Sequence, residues 1–372
     1  MTSTHDDRLF IGLMSGTSLD GVDAALVRFT PHKRVLATNY RPFSEHERAQ
    51  LRQLLKGAYL PVQWVEAGRL IARRYTEACL PLIKKAGGPE HIGAIGAHGQ
   101  TLFHQPATKT TPAITVQCLD AFWLAEHTGV DVIFDFRQAD VAAGGQGAPL
   151  VPPFHADWFG QPEQLQAVIN IGGIANITLL NGHEIVCGYD IGPGNTLLDQ
   201  WCQRHLGQPF DCDGQWADLG DCQNDWLDRL LADPYFSAPP PKSTGPEYFN
   251  LTWLAQKLPD IETRPPEDVQ ATLVALTAET IARASQPATR IILCGGGAHN
   301  AALRHEIRTR SQLPVVDSND LGLDPDYVEA AAFAWLAYQY LLDQPANAPQ
   351  VTGAQGTRIL GAHIKRRSLL QG

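Results

Sequence analysis

The chain lacks the features of secreted, membrane-spanning and zinc-binding proteins. Its first residues carry no basic patch before an apolar run, and no stretch approaches about 18 uninterrupted apolar residues, so we predict neither a secretory signal nor a membrane span. The seven cysteines form no CxxC pair and no zinc-type spacing with histidine. Scattered cysteines in an unsecreted chain are typical of reduced thiols, so we predict a cytoplasmic protein with no membrane partner.

Positive charge is also scarce. The 39 aspartate and glutamate residues outnumber 29 lysine and arginine residues, and the net charge is -10. A protein that binds nucleic acid needs a basic footprint, so we predict no nucleic-acid partner. A chain of 372 residues, 44% of them hydrophobic, exceeds one ordinary compact core and predicts two folded domains.

Apolar strand patterns alternate with helical patterns along the chain, which predicts α/β sheets. Each half opens with the same device, a strand–glycine turn–strand hairpin, over 9–29 and again over 167–180. A later strand at 290–293 ends in three glycines and leads into a helix. The region 207–266 is rich in proline, aspartate and glycine, and we predict mostly loop there.

Three glycine-bearing turns end apolar strands, and each could present main-chain N–H groups to an anion. The turns contain Gly16 and Gly21, then Gly172 and Gly173, and finally Gly295, Gly296 and Gly297. Glycine lets the backbone approach a phosphate closely, although glycine, serine and aspartate are also ordinary turn formers. The chain contains no GxGxxG spacing and no GxxxxGK[ST] motif, so dinucleotide-fold and P-loop interpretations lack their specific marker.

Seven longer segments then carry a close resemblance, and they occupy 12–23, 97–101, 135–140, 144–152, 170–176, 188–195 and 294–300. Together they resemble the anhydro-N-acetylmuramic acid kinases, in that family's order from about residue 9 to residue 362. The resemblance implies an α/β, two-domain actin-like (ribonuclease H-like) sugar kinase fold with an interdomain cleft for ATP and substrate. We place the N-terminal domain at 1–137 plus 348–372, and the C-terminal domain at 138–347.

The resemblance implies a reaction that couples phosphorylation to ring opening. ATP would phosphorylate 1,6-anhydro-N-acetylmuramic acid while water cleaves the anhydro ring, giving N-acetylmuramic acid 6-phosphate and ADP in peptidoglycan recycling. The implied partner is this small anhydro amino sugar, and the sequence is compatible with a homodimer. Two other interpretations stay open, a kinase for another N-acetylated amino sugar or hexose, and a non-enzymatic actin-like ATP-binding assembly protein.

The implied cofactors are ATP and Mg²⁺. The residues implied to contact ATP lie in the three turns: Gly16, Thr17, Ser18, Leu19, Asp20, Gly21, Val22, Asp23, Gly172, Gly173, Gly295, Gly296 and Gly297. Many members of the superfamily carry an aspartate where Met14 stands in this chain. The metal ligands are therefore expected to be Asp20 or Asp23, or a residue of the other domain.

Asp190 is the predicted catalytic base. It follows an apolar strand and precedes a Gly-Pro-Gly turn, the position from which such kinases project their catalytic carboxylate. A helix that begins near Asn195 is expected to lower the pKa of Asp190. The alternative is that Asp190 caps this helix.

Four residues are predicted to contact the sugar, namely His98, Gln100, Arg137 and Glu329. The Arg137 guanidinium could pair with the lactyl carboxylate of the sugar, or instead with Asp135 or Asp140 in a structural ion pair. Glu329 is either a surface residue or a group turned into the cleft, and His98 is equally compatible with a structural role. The segment 242–247 also looks like a family motif, but its sequence gives it no role.

Overall fold

Strands and helices alternate in the first part of the chain, as the sequence predicts. The computed structural model describes residues 8–57, 60–108 and 111–366. Up to residue 159 it contains β1 (Leu9–Ser15), β2 (Gly21–Arg28), β3 (Arg34–Pro42), α1 (Glu45–Leu55), α2 (Pro61–Ala86), β4 (Ile92–Gln105), β5 (Ile114–Cys118), α3 (Ala121–Thr128), β6 (Val132–Phe134), α4 (Gln138–Ala142) and α5 (Pro152–Phe159).

The remaining chain repeats this alternation with a longer helical insertion. Its elements are β7 (Leu165–Ile171), β8 (Ile174–Asn181), β9 (Glu184–Pro193), α6 (Thr196–Leu206), α7 (Asn224–Leu231), α8 (Pro234–Ser237), α9 (Leu251–Lys257), α10 (Pro266–Ala284), β10 (Arg290–Cys294), α11 (Ala301–Ser311), β11 (Val315–Asp317), α12 (Val328–Leu341), α13 (Pro349–Thr352) and β12 (Ala362–Ile364). Short 3₁₀ turns lie at Pro89–His91, Cys212–Gly214, Ala217–Leu219, Ile261–Thr263, Gly296–His299, Ser318–Leu321 and Pro325–Tyr327.

The two sheets share one strand order. The first runs β12-β6-β4-β1-β2-β3, with β5 paired to the end of β4, and the second runs β11-β10-β7-β8-β9. In each sheet an antiparallel three-stranded meander is followed by a strand parallel to its first strand, β4 beside β1 and β10 beside β7. The predicted hairpin at the start of each half and the predicted α/β actin-like fold are therefore confirmed.

The chain divides into two units, one of Met1–Phe154 with Tyr327–Gly372 and the other of His155–Asp326. These boundaries differ from the predicted ones, because 138–154 and 327–347 belong to the first unit. The buried Asp140 carboxylate explains part of this difference, since it accepts hydrogen bonds from Asn347 Nδ2 and Thr352 Oγ1, both at 2.8 Å. Helix α12 explains the rest, because it packs on β1, β2 and β4.

Some elements were not predicted, and their sequences show why. Strand β3 is an edge strand with mostly exposed side chains, so it lacks the apolar alternation of a half-buried strand. Helix α7 lies in the region predicted to be mostly loop. It buries only Trp226, Leu227 and Leu230, and the surrounding turn residues mask this short apolar pattern.

A pair of glycines lets α12 approach the first sheet. Gly12 of β1 and Gly96 of β4 are register partners in neighbouring strands. A Cβ atom on Gly12 would overlap the carbonyl oxygen of Ala330, and one on Gly96 would overlap the carbonyl oxygen of Phe333. Both collisions are with helix backbone, which cannot move aside as a flexible side chain can.

We expect Gly96→Ala to lower the free energy of unfolding by about 3 kcal/mol, because overpacking a core typically costs this much. Urea denaturation followed by circular dichroism measures the change. Gly16→Ala is the control, since a Cβ there meets only Ser18 Oγ, at 3.6 Å. Equal stability of both variants and the wild type would contradict the packing argument.

The second unit has its own hydrophobic core. Strands β7 and β8 supply buried Ile169, Ile171 and Ile177, and helices α6, α7, α9 and α10 contribute buried side chains to the same core. All seven cysteines are free. Among the helices of the described residues, none combines the length and apolar character needed to cross a membrane.

Candidate active site

A buried leucine, Leu19, anchors the first glycine turn (16–21) to the hydrophobic core. Leu19 has a φ of 60°, in the left-handed region that a non-glycine residue seldom adopts, and its side chain is buried in the core. Thr17 and Ser18 are exposed beside it. The turn therefore presents two hydroxyl groups to solvent, while the side chains of Leu19 and Val22 serve the core of the unit.

Gln100 lies beneath this turn. Its side chain is fully buried and donates from Nε2 to the carbonyl oxygen of Gly16 at 3.1 Å. Ser15, at the end of β1, is likewise buried, and its Oγ lies 3.1 Å from the Tyr75 hydroxyl. Gln100 therefore supports the turn, and its predicted contact with the sugar stays a prediction.

The glycines of the three turns fall into two groups. A Cβ would fit at Gly16, Gly172, Gly173 and Gly296, where no other atom lies closer than 3.6 Å to its position. Packing requires glycine at the other three positions: Gly21 faces Tyr40 and Arg41, Gly295 faces Asn170, and Gly297 faces Ile171. The fold itself does not require the first group, so close approach of a ligand is a reason for glycine there.

Asp20 and Asp23 lie near one phenol. Burial raises the pKa of Tyr40, and the charges of Asp20 and Asp23 raise it further. Asp20 is exposed, and Asp23 is half-buried on β2. One or two carboxylates with additional waters and phosphate oxygens are typical Mg²⁺ ligands, so this pair fits the predicted metal.

His98, Arg137 and Glu329 come together in the first unit. His98 is buried at the centre of β4, where its Nε2 accepts from Arg137 Nε at 3.2 Å and lies 3.0 Å from Arg137 Nη2. Arg137 also donates from Nη1 to the carbonyl oxygen of Gly147 at 2.7 Å. Within the described part of the chain, Arg137 has no carboxylate within 4.0 Å, so the predicted alternative of an ion pair with Asp135 or Asp140 is wrong.

Burial shapes the protonation of these three groups. It lowers the pKa of His98 well below 6.5, and the Arg137 charge lowers it further, so the imidazole is neutral. Because Nε2 accepts from Arg137, the proton of His98 lies on Nδ1. Burial raises the pKa of Glu329, and the Arg137 charge opposes this rise. Glu329 is therefore a half-buried carboxyl group near Arg137, and not an exposed surface residue.

Asp190 lies in β9 of the second unit, and it is not a helix cap. The N-cap of α6 is Asn195, and the Asp190 carboxylate instead accepts from the main-chain N–H of Thr244 at 3.1 Å. The N–H groups of Gly194, Asn195 and Thr196 donate to the carbonyl oxygens of the Gly172–Gly173 turn at 2.8 to 3.0 Å. The alternative interpretation, in which Asp190 caps this helix, is therefore wrong.

The predicted lowering of the Asp190 pKa is also wrong. Burial raises the pKa of Asp190 to about 6, the Thr244 N–H lowers it, and the charge of Glu247 raises it. At the start of α6 the N–H groups of Asn195 and Thr196 donate to the glycine turn and not to Asp190. Asp190 is consequently ionised at pH 7 but is a much stronger base than an exposed aspartate.

The neighbours of Asp190 were missed by sequence reasoning. The Tyr235 hydroxyl donates to the Asp190 carbonyl oxygen at 2.6 Å, and the Lys242 carbonyl oxygen accepts from the Asp190 N–H at 3.2 Å. The unusual segment 242–247 was the available signal, although nothing in its sequence connects it to Asp190.

Comparison with known proteins gives one consistent family. Residues 8–366 match the family model described as anhydro-N-acetylmuramic acid kinase. A protein of that name from Bordetella petrii is 49% identical over 366 residues, 95% of this chain and 96% of its own length. Another from Xanthomonas campestris pv. campestris is 47% identical over 380 residues, 97% of this chain and 98% of its own.

Similarity to solved structures is weaker. The activator of the 2-hydroxyisocaproyl-CoA dehydratase from Clostridium difficile, with bound ADPNP, has a TM-score of 0.48 and 11% identity, and the match covers 90% of this chain and 96% of that one. A likeness of that size carries no argument about function.

Proposed function

The chain belongs to the anhydro-N-acetylmuramic acid kinase family, and we propose that it phosphorylates 1,6-anhydro-N-acetylmuramic acid with ATP while water opens the anhydro ring. The products are N-acetylmuramic acid 6-phosphate and ADP. The observation that carries the proposal is the half-buried Asp190 carboxylate within β9, whose pKa burial raises to about 6. A base with a pKa just below neutrality is ionised and still takes a proton effectively.

In the proposed reaction Asp190 removes a proton from the attacking water. The water oxygen forms a bond to the anomeric carbon, and the bond from that carbon to O6 breaks. O6 then takes the γ-phosphoryl group, and ADP leaves with the electrons of the broken P–O bond. Phosphoryl transfer needs little covalent help from the protein, so positioning and charge stabilisation provide most of the catalysis.

Arg137 and Glu329 are proposed to hold the sugar. The Arg137 guanidinium has no carboxylate partner within 4.0 Å among the described residues, and His98 and the Gly147 carbonyl orient it. A planar guanidinium suits a carboxylate such as the lactyl group of the sugar. Glu329 could accept a hydrogen bond from a sugar hydroxyl or amide. His98 is then a positioning residue for Arg137.

The glycine turns are proposed to bind ATP. The space at Gly16, Gly172, Gly173 and Gly296 supports close approach of phosphate or nucleotide at these positions. Asp20 and Asp23 would hold Mg²⁺, which neutralises phosphate charge when it is bound. A reaction that consumes ATP also fits the cytoplasmic location predicted from the sequence.

Product analysis in ¹⁸O-labelled water tests the proposal. We expect one ¹⁸O atom at the anomeric position and none in the transferred phosphoryl group, because water attacks carbon and O6 of the sugar attacks phosphorus. Mass spectrometry of the sugar phosphate and its fragments locates the label. Phosphorylation only of an open N-acetylated amino sugar or hexose would replace this proposal with the second kinase interpretation. ATP-dependent sedimentation without sugar turnover would favour an assembly protein.

A further inference from the structure

The main chain of Asp190 lies at an open sheet edge. Strand β9 is the last strand of its sheet, and Asp190 pairs with Asn176 of β8 on its inner side only. On the outer side its N–H donates to the Lys242 carbonyl oxygen at 3.2 Å, and its carbonyl oxygen accepts from the Tyr235 hydroxyl at 2.6 Å. Unpaired edge groups normally bond to water, so this covered position is a local departure from an ordinary edge.

The chain segment 235–244, which supplies these two contacts, also holds the side chain of Asp190. The Thr244 N–H donates to Asp190 Oδ2 at 3.1 Å. Lys242 links the two contacting parts of the segment, because its Nζ donates to the Tyr235 carbonyl oxygen at 3.0 Å and lies 4.6 Å from the centre of the Tyr235 ring. Three groups of one residue are thus bound by a single chain segment.

A buried carboxylate anchors this segment to the second unit. Asp233 is 3% exposed and accepts from the Tyr235 N–H, the Tyr248 hydroxyl and Trp253 Nε1, each at 2.9 Å. The ammonium group of Lys257 also lies 2.9 Å from Asp233. A fully paired, buried carboxylate of this kind makes the loop around it rigid.

We propose that Tyr235 and the segment 242–247 are positioning residues for Asp190, holding its main chain and carboxylate in the geometry for proton transfer. This inference rests on the proposed function, since it takes Asp190 to be the general base. It assigns a role to the 242–247 motif. Because a misplacement of about 1 Å can cost about 10²-fold in rate, rigid support at this position matters to turnover.

Glu247 adds an electrostatic contribution. It is exposed, and its carboxylate folds over Gly245, next to the Thr244 N–H that holds Asp190. Its negative charge raises the pKa of Asp190, after the larger effect of burial and against the Thr244 hydrogen bond. The other titratable groups beside Asp190 are the Tyr235 phenol and Lys242, whose ammonium group is turned to Tyr235. Glu247 therefore raises the pKa of Asp190 through its charge and without a hydrogen bond to it.

Tyr235→Phe tests the positioning role, and Tyr248→Phe is its matched control. Both variants lose one phenolic hydrogen bond in the same loop, but only Tyr235 contacts Asp190. We expect kcat to fall about tenfold in Tyr235→Phe, as loss of one hydrogen bond allows, with an unchanged KM for ATP. Tyr248→Phe should keep kcat within about twofold of the wild type, because Asp233 keeps its contacts with the Tyr235 N–H, Trp253 Nε1 and Lys257. Equal kcat values in both variants would overturn the inference. An equal fall would mean that any lost hydrogen bond loosens the loop, and no fall would mean that the Tyr235 hydrogen bond does not affect turnover.

The pH dependence of kcat/KM distinguishes an electrostatic effect of Glu247 on Asp190 from a structural effect. The acid limb of kcat/KM for the sugar should lie near pH 6 in the wild type and at lower pH in Glu247→Gln, because a like charge has been removed. Glu184→Gln is the control, since this exposed carboxylate lies at the far end of the same strand. If the acid limb of kcat/KM stays at the same pH in Glu247→Gln, the proposed effect of Glu247 on the pKa of Asp190 is wrong. A wild-type enzyme that does not convert the anhydro sugar would instead overturn the proposed function.

Discussion

Asp190→Asn should lower kcat by at least about 10²-fold, the contribution that general-base catalysis typically makes. Asparagine keeps the size of the side chain, and its Oδ1 still accepts from the Thr244 N–H, so the local structure should persist. It cannot take a proton from water. Binding of ATP and sugar should survive, and steady-state kinetics together with calorimetric titration of both ligands measures the two effects.

The same variant should be more stable than the wild type at neutral pH. The pKa of Asp190 rises from 3.8 to about 6 on folding, so the stability that depends on this group falls as the pH rises through that interval. Above pH 6 the ionised carboxylate costs at most about 3 kcal/mol, which asparagine does not incur. Thermal denaturation at pH 4 and pH 7.5 should therefore show a gain only at the higher pH.

Near-normal turnover in Asp190→Asn, with ring opening still coupled to phosphorylation, would eliminate Asp190 as the base. The next candidate for the base would then be Glu329, another half-buried carboxyl group whose pKa burial raises. A variant that is both inactive and less stable at pH 7.5 would mean that Asp190 serves the fold.

Gly16→Val should raise the KM for ATP by about 10²-fold, which corresponds to losing one or two charge-assisted hydrogen bonds from main chain to phosphate. A Cβ atom has room at this position in the free protein, because the nearest atom to it is Ser18 Oγ at 3.6 Å. A branched side chain would instead fill the space that a phosphate oxygen needs. Initial rates at varied ATP concentration measure the effect.

Gly12→Ala provides the contrast, four residues earlier in the same chain segment. A Cβ at Gly12 collides with the backbone of α12, so this variant should lose stability whether or not ATP is present. Gly16→Val should keep the melting temperature of the wild type without ligand. Wild-type ATP binding in folded Gly16→Val would show that the turn is only a turn.

Local patterns were enough to find the elements that carry the candidate site. The hairpins over 9–29 and 167–180, the strand before Gly295 and the strand that begins at Glu184 all occur where the sequence predicts them. Each is a short apolar run bounded by glycine or polar turn residues, and such a pattern depends only on neighbours along the chain.

Partly exposed and irregular elements were harder to predict. Strand β3 exposes most of its side chains at a sheet edge, and the loop that contains α7 and α8 is dominated by turn residues. The sequence also placed α12 in the wrong domain. Its helical pattern does not show that the helix packs against Gly12 and Gly96, which lie far away along the chain.

By itself the sequence determined the fold class, the glycine turns and the strand that leads to Asp190, although the structure continues this strand past Asp190 to Pro193. Only the tertiary structure decided which glycines the packing requires, that Gln100 supports a turn, and that the pKa of Asp190 is raised. The groups that hold Asp190 come from Tyr235 and Thr244, 45 and 54 residues farther along the chain. Burial and hydrogen bonding between residues so far apart depend on which distant segments pack together. The local periodicity of the sequence does not predict that packing.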